Sequence, residues 1–156
     1  MATKKMALIA TKGTLDMAYP PFFLASTAAA LGWEVQIFFT FYGLQLLRNS
    51  LDDIKISPLA NPAMPMPVPM PVMVQMLPGM ESMATMMMKN KMKSKGVASL
   101  QELRDLCLEA EVKFVACQMT VDLFEFETSE FIKDVEYGGA ATFMKFAGES
   151  DVCLFI

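Results

Sequence analysis

The chain has 156 residues, 54% hydrophobic and 19% charged, with a formal charge of −4 and no histidine. That length predicts one domain with a full core, and the apolar balance points to buried subunit interfaces. The acidic balance argues against nucleic-acid binding, which needs a basic face. The absence of histidine removes Ser-His-Asp triads, Cys–His dyads and ordinary zinc sites, so no metal centre is expected.

The three cysteines, Cys107, Cys117 and Cys153, show neither a disulfide framework nor a CxxC motif. They fit a reducing compartment. Residues 1–12 lack the apolar region and cleavage site of a signal peptide, which places the expectation in the cytoplasm.

Lys5 to Thr11 is a compact apolar run and predicts a first strand, with Lys12-Gly13-Thr14 as its exit loop. Asp16 sits in the first turn of a helix, where negative charge suits the dipole. The helix runs through Pro20-Pro21, with an irregular start there, to Leu31 and stops at Gly32. Its apolar part is too short to span a membrane. Trp33 to Thr40 predicts a second strand with Val35, Ile37 and Phe39 on one face. Phe41-Tyr42-Gly43 turns into a short helix over Leu44 to Asn49. Strand, helix, strand, helix implies right-handed crossovers and a parallel sheet. The loops at Lys12-Gly13-Thr14 and Thr40-Phe41 then share the edge of the sheet that receives Cys117.

Between Lys55 and Glu81 there is no charge, and seven prolines from Pro58 to Pro78 interrupt it. Such spacing forbids a membrane helix and predicts an extended or irregular insertion over residues 57–80. Gly79 to Lys93 reads as a methionine-rich helix with Met80, Met83 and Met87 in a stripe and Lys89, Lys91 and Lys93 in its last turns. Eleven of the sixteen methionines fall between Met64 and Met92. Thioether clusters such as Met64-Pro65-Met66 can hold Cu(I), but methionine also fills irregular cores and adaptable interfaces, which is the stronger reading. A partner or membrane surface lies between the two.

Ser99-Leu100-Gln101-Glu102 is a capping box. The helix it opens has an apolar face of Leu100, Leu103, Cys107 and Ala110, so Cys107 points inward. The run Val112 to Ala116 predicts a buried strand ending at Cys117, with a helix over Thr120 to Phe126 behind it. After a short piece from Thr128 to Val135, Tyr137 to Ala147 reads as another helix, capped by Gly148. Asp151 to Ile156 (DVCLFI) closes the chain as a strand apolar on both faces, internal to the sheet, with Cys153 in the core.

Cys117 carries the chemistry. A cysteine where a strand ends and a helix begins faces unpaired N–H groups and the positive end of the dipole. Both favour thiolate and lower the pKa from roughly 8.5. The carboxyl ends of strands in open α/β sheets are also where ligands bind. Position alone leaves two readings open, a reactive thiol and a small apolar filler. Neither GxGxxG nor GxxxxGK[ST] occurs, and no cofactor is expected.

Several stretches together resemble the DsrE/DsrF-like family of sulfur-relay proteins, particularly its larger members, sometimes labelled peroxiredoxin-like. They are AAALGWEVQIFFTFYGLQLL (28–47), PGMESMATMMMKNKM (78–92), GVASLQEL with VACQMTVDLF (96–103 and 115–124), and YGGAATFMKFA with the terminal LFI. The combination of FFTFYGL with ACQM is specific. The resemblance implies a flavodoxin-like, Rossmann-like three-layer sandwich with a mainly parallel sheet, assembled as homo-oligomers, often trimers or multiples of them. It also implies that Cys117 carries sulfur as a persulfide, exchanged with TusA-like carriers and rhodanese-type sulfurtransferases. Backbone N–H groups near Gln118 and Met119 are the expected donors to the persulfide anion, and sheet geometry offers Lys12, Gly13 and Thr14 as the opposite wall. Where family members often carry a glycine soon after the ACQM helix, this chain has Glu125-Phe126-Glu127. Two rivals stand beside this reading: a thiol peroxidase, and a non-enzymatic module that uses the Pro/Met segment against a protein or a membrane surface.

Overall fold

The computed structural model describes residues 2–58, 68 and 71–156. Five strands form one parallel sheet: β1 (Lys5–Ala10), β2 (Glu34–Phe39), β3 (Lys113–Cys117), β4 (Val135–Gly138) and β5 (Val152–Phe155). Their spatial order is β4-β3-β2-β1-β5. From β1 to β4 the chain adds neighbours in one direction, and β5 then returns to the free side of β1. The α/β class and the parallel sheet expected from the sequence are both present.

One face of the sheet carries the main core. Helix α1 (Leu15–Ala30) and helix α4 (Leu100–Glu109) lie there side by side. Phe22 of α1 meets Phe39 and Phe114 of β2 and β3 with ring centroids 6.1 and 5.9 Å apart, and these two strand rings sit edge to face at 5.2 Å. Val35, Ile37 and Phe39 share this face as the alternation required. The opposite face is covered by one short helix, α6 (Ala140–Ala147), whose Phe143 stacks on Phe38 at 5.1 Å. Cys117 belongs to that second, smaller cluster with Ala7, Phe38 and Val115.

Local chemistry explains the connections. The capping box at Ser99 forms: its hydroxyl accepts the Glu102 N–H, and the Glu102 carboxylate accepts the Ser99 N–H at 2.7 Å. Gly32, just past α1, takes the left-handed conformation with φ of 81°. After β2, residues Phe41–Leu47 form a 3-10 segment rather than a helix beginning at Leu44. Gly43 is required there, because a Cβ would land on the Ala10 carbonyl at the end of β1.

Several expectations need correction. Helix α1 is continuous through Pro20 and Pro21, without the irregular start. The stretch read as one helix from Tyr137 divides: Val135–Gly138 is the edge strand β4, and α6 begins only at Ala140. Backbone pairing with β3 overrides the local helical pattern. DVCLFI is a strand but lies at the other edge, paired to β1 alone. With one side unpartnered, Cys153 is exposed and Phe155 is 73% exposed. Ala110, expected on the buried face of α4, caps its C-terminus and is exposed.

The helix α3 (Met80–Ser94) is rotated from the expected stripe. Its inward residues are Thr85, Met88 and Met92, while Met83 and Met87 face outward. Thr85 fixes that rotation: its Oγ1 accepts the Ile56 N–H at 3.1 Å and donates to the Glu81 carbonyl. The described end of the insertion includes a short helix, α2 (Val72–Gln75). Most of the proline-rich run, including Met64-Pro65-Met66, lies outside the described residues. Among those described, no helix is long and apolar enough to cross a membrane.

Candidate functional site

Cys117 is the last residue of β3 and the N-cap of α5 (Gln118–Leu123). It pairs in register with Gly138, so its side chain leaves the sheet at the carboxyl edge, toward α6. It is 5% exposed. The helix starts two residues earlier than the sequence indicated, which puts the first N–H groups of α5 directly beside the sulfur. Burial raises the thiol pKa. The Thr120 hydroxyl and N–H, the Thr40 hydroxyl and the Met119 N–H outweigh that cost, and the net value falls below the ordinary thiol range. None of them closes a side-chain cap bond of full geometry on the neutral thiol. Their effect is on the anion.

Thr40 and Thr120 join this site from the segments that follow two neighbouring strands. Thr40 follows β2, and its Oγ1 lies 3.1 Å from Oγ1 of Thr120 on α5. The Phe41 N–H donates to the same Thr120 oxygen at 3.3 Å. Phe41 holds φ at 49°, a left-handed conformation that non-glycine residues adopt at a cost. Phe41, Tyr42 and Phe124, all exposed, gather on the segments that follow β2 and β3. Tyr42 stacks on Phe124 with centroids 6.1 Å apart, and Phe41 meets the same ring edge-on. An exposed apolar cluster thus adjoins the strand end that holds a nearly buried sulfur.

The residues named from the sequence fall into two groups. Gln118 and Met119 flank the thiol; the Gln118 amide is turned away and donates to Asp122 at 2.8 Å. Lys12, Gly13 and Thr14 share the sheet edge but follow β1, with β2 between them and β3. Gly13 sits close under the Tyr42 carbonyl and Gln45, and Thr14 Oγ1 lies 3.1 Å from Ser57 Oγ. Their link to the site runs through the 3-10 segment. A cleft of about 990 Å³ between α1, α3 and α4, lined by Tyr19, Leu51, Met92 and Leu106 among others, is separate from the sulfur.

Cys107 is fully buried, with Sγ 3.5 Å from the Phe22 carbonyl, and burial pushes its thiol up to about 12. It stays protonated and points into the core, as its helix face required. Thr40, Thr120 and the buried Arg104 were missed. Threonine at the third position after an N-cap was the available signal for Thr120. Arg104 stands four residues after Leu100 and one after Leu103, squarely on the apolar face.

The segment after α5 repays comparison with the sequence. The Phe126 N–H bonds the Val121 carbonyl at 3.0 Å and the Glu125 N–H bonds Asp122 at 3.2 Å, a Schellman ending. Glu125 therefore takes φ of 54°, in the region where glycine is at ease. Replacing Glu125 with glycine is expected to raise stability by about 1 kcal/mol, read as a higher urea midpoint with unchanged slope.

A model of the DsrE/DsrF/DrsH-like family matches residues 2–155. The chain belongs to that family. It is 66% identical over 160 residues to the sulfur carrier protein DsrE2 of Allochromatium vinosum, covering 100% of both chains. It is 34% identical over 158 residues to the protein YrkE of Bacillus subtilis, covering 99% of this chain and 98% of that one. Among solved structures, the YchN protein of E. coli superposes with a TM-score of 0.57 at 11% identity, over 99% of this chain and 100% of YchN. At that identity the likeness concerns the fold alone.

Proposed function

We propose that this protein is a sulfur carrier that holds sulfane sulfur as a persulfide on Cys117 and hands it to a thiol on a partner protein. The observation that carries the reading is the placement of Cys117, a nearly buried N-cap thiol with a lowered pKa at the carboxyl edge of the sheet. The full-length likeness to a sulfur carrier supports it. In the loading step the Cys117 thiolate attacks a sulfane sulfur of the donor. A new S–S bond forms, the donor's S–S bond breaks, and the leaving sulfur keeps the electron pair. In the transfer step an acceptor thiolate attacks the terminal sulfur of Cys117–S–S⁻ and the Cys117 thiolate leaves. No net oxidation occurs. The start of α5 stabilises the anion in both states.

TusA-like carriers and rhodanese-type sulfurtransferases, the partner classes the family resemblance implies, are the partners such a site suits. Homo-oligomers, trimers or multiples of them, agree with the exposed apolar edge at β5. A thiol peroxidase fits less well. Such an enzyme needs a free cation beside the thiol, whereas Arg48 pairs with Glu130 at 2.9 Å and Arg104 is bound to backbone carbonyls.

The test is the intact mass of unreduced protein after brief exposure to polysulfide, thiosulfate and tetrathionate separately. A reducible gain of whole sulfur atoms or of a thiosulfonate group, mapped to the Cys117 peptide, is expected with at least one donor. A titratable Cys117 that gains nothing from any donor overturns the reading.

A second property, contact with a membrane surface, is favoured by the outer face of α3. Met86 and Met87 are 63% and 67% exposed. At 100° per residue, Lys91 and Lys93 fall about 80° to either side of Met83, so they bracket the stripe as snorkelling cations do. Flotation with phosphatidylglycerol vesicles is expected for the wild type and lost in Met83→Gln/Met86→Gln/Met87→Gln. Equal flotation of both, or of neither, refutes it.

A further inference from the structure

Thr120 is fully buried, so its hydroxyl needs partners within the protein. A hydroxyl has one proton and two acceptor sites. The Phe41 N–H fills one acceptor site of Thr120 Oγ1. The bond between Thr40 and Thr120 has two possible directions. If Thr40 donates, both acceptor sites of Thr120 are filled and the Thr120 proton points elsewhere. If Thr120 donates, the Thr40 proton is the free one. In each case the pair uses one proton between its members and has one left over. Thr120 is the third residue of the helix that Cys117 caps, and Thr40 follows Phe39, the partner of Ala116, so both hydroxyls stand at the strand end that carries the sulfur.

We propose that Thr120 is a catalytic residue of sulfur transfer: with Thr40 and the Phe41 N–H it forms a polar relay that directs one hydroxyl proton at Sγ of Cys117 and holds that sulfur as an anion. The inference rests on the carrier reading for what the anion does. The relay donates a hydrogen bond and keeps its protons; the proton released by the thiol passes to water or buffer. The left-handed Phe41 belongs to the same device. It stands where β2 ends and its N–H bonds Thr120. Backbone strain of this kind persists where surrounding bonds fix it, and it gathers at functional sites. A buried donor already polarised by two others is a stronger partner for an anion than a lone hydroxyl.

Alkylation of Cys117 by iodoacetamide across pH reads the relay directly, in a Cys153→Ser background. Thr120→Val keeps the shape and removes the proton. Its alkaline inflection is expected to move up by about one pH unit, with a tenfold lower rate at neutral pH. Thr120→Ser restores the proton and is expected within about twofold of the parent. Thr40→Val, which leaves the fold of α5 untouched, is expected to shift the inflection in the same direction by less. An unshifted inflection in both valine variants overturns the relay. Equal shifts in Thr120→Val and Thr120→Ser also overturn it, since they would trace the effect to packing. Sulfur loading of the parent by polysulfide is measured in parallel. A parent that fails to load sulfur but shows the valine shift refutes the carrier reading and leaves the relay standing.

Discussion

Replacing Cys117 with serine is expected to abolish sulfur loading, while Cys107→Ser and Cys153→Ser load as the parent does. The reason is both chemical and geometric. A serine hydroxyl at this position stays protonated at any working pH and cannot form an S–S bond. Cys107 is held as a neutral thiol in the core, with its pKa pushed up to about 12. Its thiolate fraction at neutral pH is negligible and no donor reaches it. Cys153 is exposed on β5 but lies outside the ring of donors around the α5 terminus. Exchange is fast where donors at a helix end stabilise the thiolate, and exposure by itself does not supply them. Mass measurement of each variant after polysulfide treatment checks this, and undiminished loading in Cys117→Ser would refute it.

Arg104→Met should be the most damaging substitution outside the site. The side chain is 1% exposed and has no carboxylate partner within bonding distance among the described residues. Its guanidinium donates to the carbonyls of Leu46 and Arg48, the first at 3.0 Å, and to the Gln101 amide oxygen at 3.1 Å. Those carbonyls close the 3-10 segment after β2. Burial lowers the Arg104 pKa, though not enough to discharge a guanidinium. Methionine would fill the space and leave the carbonyls unsatisfied in an apolar setting. Each charge-assisted bond lost costs about 1.5–3 kcal/mol, so the two to the Leu46 and Arg48 carbonyls alone give an expected loss of about 3–6 kcal/mol. That is a large share of the roughly 5–15 kcal/mol that holds a domain together. A urea titration reads it as a lower midpoint, and a midpoint within error of the parent would disprove it. Arg104→Lys keeps the charge, reaches fewer carbonyls and is expected to fall between the two.

The elements with strong local signals were legible in the sequence. β1, β2 and β3 are short apolar runs bounded by turn residues, and each formed where the pattern put it. The capping box of α4 formed as written, and Cys117 stands at a strand-to-helix junction. These features depend on contacts within a few residues. Three matters needed the assembled chain. Val135–Gly138 became a strand because β3 offered an unpaired edge, and Tyr137 alone carried no sign of that. DVCLFI is apolar throughout, so its composition does not distinguish an internal strand from an edge strand destined for some other cover. The rotation of α3 was set by one hydrogen bond from Ile56, a residue 29 positions before Thr85.

The sequence by itself determined the α/β class and put Cys117 at a strand-to-helix junction, because periodicity and chain-end signals are local. Tertiary structure alone decided what surrounds that cysteine. Thr40 and Thr120 are 80 residues apart, and only the neighbouring positions of β2 and β3 in the sheet bring their hydroxyls together at the strand end that carries Cys117.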